Sequence, residues 1–154
     1  GGHGAAAGVT LATERIDDFR RRVNEFYDSL QLKNQELYLL PRADVEIDDF
    51  SEINEELVDN LAKMEPFGNG NAEPILKITK ATVLSVRRMG ADGQHVKLTL
   101  RDKNDVALQM LAFNAPEEFF REVSDEVSAW FQPTVNEWQG MKSVEGRLLH
   151  ISGM

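Results

Sequence analysis

Nine residues near the middle of the chain, Pro66-Phe67-Gly68-Asn69-Gly70-Asn71-Ala72-Glu73-Pro74, separate two hydrophobic patterns that no single element can carry. Prolines at both ends fix φ and remove backbone donors. The Gly and Asn residues between them favour turns, so helix and strand both stop here. On the N-terminal side the apolar spacing is helical. Ile16, Phe19, Val23, Phe26 and Leu30 share one face of a helix predicted from about Glu14 to Ser29, with Thr13 as its cap and Glu14, Asp17 and Asp18 in the dipole-favoured first turns. Residues 33–43 read as a connection and Val45-Glu46-Ile47 as a short edge strand. Ser51 is the expected N-cap of a second helix over 51–64, carrying Ile53, Leu57, Leu61 and Met64.

After Pro74 the period becomes that of strands. Residues 75–89 are β-prone, but their apolar phase slips between Leu76/Ile78, Ala81/Val83 and Leu84/Val86, as in a long strand with bulges. Gly90-Ala91-Asp92-Gly93 makes a hairpin loop. Residues 94–101 then alternate, with Val96, Leu98 and Leu100 inward and His95, Lys97, Thr99 and Arg101 outward. A third strand over 106–113 follows, then a short helix capped by Asn114 that holds Pro116, Phe119, Phe120 and Val123. Strands over 127–138 and 142–151 are joined at Gln139-Gly140. Three meandering strands, a helix and a final hairpin are the order of a five-stranded OB-fold barrel, so the expected class is α+β: an N-terminal helical part followed by the barrel. A five-stranded barrel of another topology is the alternative. The reading requires residues 75–151 to close, or nearly close, a five-stranded sheet.

Composition excludes several function classes. No run approaches the roughly 20 apolar residues of a membrane span. With no cysteine, disulfides and thiolate metal sites are excluded, which is compatible with a reducing cytosol. No signal peptide is visible, and a start at Gly1 suggests a piece of a longer chain. The net charge of -9 argues against indiscriminate polyanion binding. Its distribution is uneven: residues 75–113 hold seven basic residues (Lys77, Lys80, Arg87, Arg88, Lys97, Arg101, Lys103) against three acidic ones.

Candidate chemistry is sparse. His95 and His150 have no partners at a metal spacing and read as structural or exposed, and Asp44, Glu46, Asp48 and Asp49 read as a solvated acidic connection rather than ligands. No Ser-His-Asp set, P-loop or dinucleotide motif is present. Gly1-Gly2-His3-Gly4 has glycines that let backbone N–H groups approach a phosphate and a histidine that can donate to it; as four residues they read equally as an inert terminal remnant. The exposed face of the second barrel strand (Lys97, Arg101), with Arg87 and Arg88 nearby and Trp138 and Lys142 on the last hairpin, combines cations with a flat ring, which is what a single strand needs. Trp138 either stacks on a base or packs over the barrel end. Trp130 and Phe131 read as core.

Three stretches together resemble one family. Gly1 to Leu11 running into Ile16-Asp17-Asp18-Phe19-Arg20 resembles the end of the DHH-associated domain of RecJ-type exonucleases. Residues 64–74 resemble the signature that opens their OB domain. Gly93-Gln94-His95-Val96-Lys97-Leu98 and Val135-Asn136-Glu137-Trp138-Gln139-Gly140 resemble its second strand and last hairpin.

The resemblance covers essentially the whole chain and implies three parts: a DHH-associated remnant over 1–38, a connection over 39–74, and an OB domain over 75–154. It implies the C-terminal, substrate-holding part of a cytoplasmic 5′–3′ exonuclease specific for single-stranded DNA, acting in repair and recombination. Gly1, Gly2 and His3 would contact substrate phosphate. The expected partners are single-stranded DNA, the DHH domain of the parent enzyme, and single-stranded-DNA-binding protein or other repair proteins.

Members of that family hold two Mn²⁺ or Mg²⁺ ions on Asp and His ligands of the DHH domain. No Asp-His-His motif occurs here, so no metal cofactor is expected in this stretch and it is not expected to form the hydrolytic site alone. Two other classes remain open: a different DHH-family phosphoesterase acting on nanoRNA or cyclic dinucleotides, and a protein-interaction module.

Overall fold

A computed structural model describes residues 2–3, 6–30, 41–115, 119 and 124–153. The chain divides into two compact units, Gly1–Leu39 and Leu40–Met154. In the first, β1 (Gly2–His3) pairs antiparallel with β2 (Ala6–Ala7). A 3-10 turn over Thr13–Arg15 leads into α1 (Ile16–Ser29). Thr13 does not cap this helix: the turn absorbs it, and no side chain bonds the first N–H groups. Arg21 instead bridges Asp18 and Glu25 on the surface, and its hydrogen bond to Asp18 holds that carboxyl below the usual range.

The second unit contains β3 (Val45–Ile47), α2 (Glu55–Ala62), β4 (Leu76–Met89), β5 (His95–Arg101), β6 (Ala107–Ala112), β7 (Glu126–Trp138) and β8 (Met141–Gly153). The sheet order is β3-β4-β5-β6-β8-β7, and β7 pairs back onto β4. Five strands therefore close into an OB-fold barrel, with β3 added parallel to β4 as a sixth. The expected bulges are on β4, between Ile78 and Ala81 against β7 and between Val83 and Ser85 against β5. They bend one strand enough to serve both neighbours.

Strand periodicity holds across the closed sheet. Val96, Leu98 and Leu100 face Met110 and Leu108 inside, and Ile78, Ala81, Val127, Ala129, Phe131 and Ile151 complete a core with almost no exposure. Trp130 is buried too. Gly146 is imposed by this packing: a Cβ there would collide with Met110 Sδ and lie 3.0 Å from Phe131 Cδ2. The helix expected after Asn114 falls mostly outside the described residues. Phe119 is helical and buried, but Asn114 has a φ of 52°, not the extended backbone of an N-cap.

The second helix is shorter than expected. Asn54, not Ser51, is its N-cap: Asn54 has extended backbone and accepts the Leu57 N–H at 2.9 Å, whereas Ser51 donates to Asp49. The intervening turn serves the core. Phe50 and Ile53 are buried, and the Phe50 ring meets Phe131 edge-on at 6.2 Å. The Phe50 N–H donates to buried Asp102 Oδ2 at 2.7 Å, while Asp102 Oδ1 accepts from Asn104 and Val106 and so shapes the β5–β6 turn. One carboxylate ties segments 52 residues apart. Replacing Asp102 with Ala strands a buried donor and is expected to cost about 2–3 kcal/mol in urea denaturation. Asp102→Asn, which keeps an acceptor, should cost less.

Candidate nucleic-acid interface

Pairing register places outward side chains of all five barrel strands in rows. One row reads Arg87 (β4), Lys97 (β5), Leu111 (β6), Arg147 (β8) and Gln132 (β7). The next reads Ser85, Thr99, Gln109, Glu145 and Thr134. The Ser85 hydroxyl donates to Thr99 Oγ1 at 3.1 Å. Further along β7 and β8, on the same side, Trp138 pairs with Met141 beside the Gln139-Gly140 turn, whose φ angles are 50° and 78°. Trp138 is 69% and Met141 70% exposed, so Trp138 does not pack over the barrel end.

The sequence-predicted cations do not all share this face. Arg87 and Lys97 are cross-strand partners on it. Arg88 pairs with Val96 and takes the opposite side, and Lys142 pairs with Glu137, a position out of phase with Trp138. Arg101 lies at the far end of β5, paired with Asp105 at 3.3 Å. The local positive balance is also smaller than the sequence suggests. Lys77 meets Glu46 at 2.8 Å, Lys103 meets Asp48 at 3.5 Å, and Lys97 meets Glu145 at 3.4 Å. These carboxylates lie outside the 75–113 window.

The acidic run 44–49 is likewise not simply solvated. Asp44 accepts the Ile75 N–H at 2.9 Å, Glu46 and Asp48 take the two lysines, and Asp49 accepts from Asn104 at 3.1 Å. The hydroxyl and N–H of Ser51 hold the Asp49 carboxyl below its usual range.

Arg147, Glu145 and Phe113 carry no local sequence signal, because the β6–β8 pairing that gathers them is parallel and non-local. Arg147 Nε donates to Gln132 Oε1 at 3.1 Å, and its Nη2 meets Glu73 Oε2 at 2.5 Å. Gln132 Nε2 donates to the Glu73 carbonyl at 3.2 Å. This network fastens the end of the 66–74 segment to the barrel. Beside it lies a hollow of about 330 Å³, whose lining includes Leu111, Phe113, Asn136 and Glu145.

His95 serves locally: its Nδ1 accepts the Asn114 N–H at 3.1 Å, and its ring lies edge-on to Phe113 at 5.4 Å. The His150 ring lies edge-on to Trp130 at 5.2 Å. Among the described residues no three His, Cys, Asp or Glu side chains are placed to hold a metal ion. Of the N-terminal motif, Gly1 lies outside the described residues, and Gly2 and His3 form β1. Among the described residues no helix is long and apolar enough to cross a membrane.

The sequence and fold have relatives among known proteins. The RecJ OB domain family model matches residues 43–150. The chain is 31% identical over 143 residues to the single-stranded-DNA-specific exonuclease RecJ of Bacillus subtilis, covering 92% of this chain and 18% of that protein. It is 26% identical over 147 residues to the protein of the same name from Haemophilus influenzae, covering 94% and 25%. The chain thus spans a quarter or less of these relatives' length. Two crystal structures of Thermus thermophilus RecJ share its fold. The Mn²⁺ complex has a TM-score of 0.58 and 21% identity, covering 100% of this chain and 22% of that one. The Mg²⁺ complex has a TM-score of 0.56 and 18% identity, covering 94% and 21%.

The Arg147 network yields a direct test. Arg147→Leu is expected to raise amide hydrogen exchange at Gly68 and Asn71, whose mutual backbone bonds close the 66–74 turn, while β5 amides stay protected. Unchanged exchange at both would show that the segment is held elsewhere.

Proposed function

The chain belongs to the RecJ OB-domain family over residues 43–150, and from that membership we propose that it holds single-stranded DNA for a longer, single-stranded-DNA-specific 5′–3′ exonuclease acting in repair and recombination. The observation that carries this reading is the cross-strand pair Arg87–Lys97 on the same outer face as the 69%-exposed Trp138. Cations there attract phosphates, and an exposed indole offers a stacking surface that any base can use. Lys97 is partly neutralised by Glu145, so Arg87 carries more of the attraction. In this reading Gly1, Gly2 and His3 touch substrate phosphate. Hydrolysis, with Mn²⁺ or Mg²⁺, belongs to a DHH domain outside this chain. The assembly works in the cytoplasm, and single-stranded-DNA-binding protein is a candidate partner.

A protein-docking role has one observation in its favour. A second hollow, about 490 Å³ between β3 and α2, has an apolar floor of Ile47, Leu57 and Leu61, and its rim carries Asp49 and Glu52 beside the lysine-paired Glu46 and Asp48, which gives a polyanion nothing to bind.

Fluorescence titration of the 154-residue chain with a mixed-sequence single strand tests the main reading. Weak binding at low salt, falling steeply as salt rises, is expected. Arg87→Ala should weaken it and reduce the salt slope by about one. Trp138→Ala should weaken it by roughly 1–3 kcal/mol with little change in slope. No binding at low salt would favour the docking role.

A further inference from the structure

We propose that the hollow beside Arg147 receives a nucleobase by its edge, and that Glu145 and Asn136 make guanine the preferred occupant. This inference rests on the single-strand reading above. The walls suit a base: Leu111 and Val135 are apolar, and Phe113 is an aromatic ring left 59% exposed. They do not suit a phosphate. The Arg147 guanidinium is engaged by Glu73 and Gln132, and the other charge on the hollow's floor is the Glu145 carboxylate, whose side chain is only 4% exposed. The backbone of a bound strand is then left to Arg87 and Lys97, and the base turns inward.

The polar pair decides which base. An ionised carboxylate only accepts hydrogen bonds. The contacts holding Glu145 in place, from Lys97 Nζ at 3.4 Å and Asn136 Nδ2 at 3.5 Å, both reach Oε1 and are longer than the 2.7–2.9 Å of a full charge-assisted bond. Acceptor capacity therefore remains, beside an amide donor. Guanine presents the complementary edge: N1–H and N2–H are adjacent donors that match two carboxylate oxygens as a guanidinium does, and O6 accepts from an amide N–H next to them. Adenine and cytosine offer one amino group beside a ring acceptor, and thymine places keto oxygens on both sides of its single N–H.

The test uses the full chain and oligothymidylate 15-mers carrying one central guanine, hypoxanthine or 1-methylguanine. Hypoxanthine lacks only the N2 amino group, and 1-methylguanine lacks the N1–H. The guanine strand is expected to bind about fivefold more tightly than either, as one well-made edge contact gives. In Glu145→Gln that ratio should fall to about one, even though freeing Lys97 raises affinity for every strand. The analogue series asks the same question of the unaltered protein if the variant does not fold. Equal, salt-sensitive affinity for all three strands overturns the guanine pocket and leaves the single-strand reading intact. A guanine preference that survives in a folded Glu145→Gln also overturns it. Binding to none of them at low salt overturns both.

Discussion

Closure of the barrel depends on one strand doing two jobs. β4 runs from Leu76 to Met89 and pairs with β7 along its first half and β5 along its second. A flat strand of that length cannot follow both neighbours around a five-stranded turn; two bulges, one beside Lys80 with its φ of 57°, supply the bend. Everything on the outer face inherits its place from this curvature. It sets the register in which Arg87 meets Lys97, and it brings β8 alongside β6 so that Arg147 and Glu145 join their rows.

The barrel is then fastened to the chain before it at separate points that divide the labour. Asp102 holds the Phe50 N–H at the β5–β6 turn and lets an aromatic ring complete the core. Asp44, Glu46 and Lys77 hold β3 along β4, with Lys77 also lying over the Trp130 ring at 5.2 Å. Arg147 and Gln132 hold Glu73. Charged groups that look like surplus in the composition are thus largely structural, and among the described residues the outer face proposed to hold a strand carries few cations, Lys97 and Arg147 being ion-paired. That fits a part which holds a strand weakly within a larger enzyme better than an autonomous high-affinity binder.

Much of this architecture is legible in local sequence. Alternation at Val96, Leu98 and Leu100, the phase slips after Ile78, and the turn at Gln139-Gly140 are short-range signals, and each appears in the structure as a strand, a bulge or a hairpin. Adjacent Arg87 and Arg88 show the limit. Their strand is evident, but which of them shares a face with Lys97 depends on a bulge at Val83/Ser85 whose position periodicity does not define. Helix starts differ from local expectation for a similar reason: Ser51 and Thr13 have the right chemistry, but core burial of Phe50 and Ile53 moves one N-cap to Asn54, and a 3-10 turn displaces the other helix start to Ile16. The hollow with Glu145, Asn136 and Phe113 has no local signature, because it is built by parallel pairing between positions 36 residues apart in sequence.

In the function proposed here a single strand lies across the outer face of the barrel, on the row from Arg87 to Gln132 and up to the Trp138 hairpin. Amide and side-chain NMR shifts of the labelled chain, followed during titration with a short single-stranded oligonucleotide at low salt, test it most directly. Shifts concentrated at Arg87, Lys97, Leu111, Arg147 and the Trp138 indole are the predicted result. Shifts confined to Val45, Ile47, Leu57 and Leu61, in the hollow between β3 and α2, would contradict it.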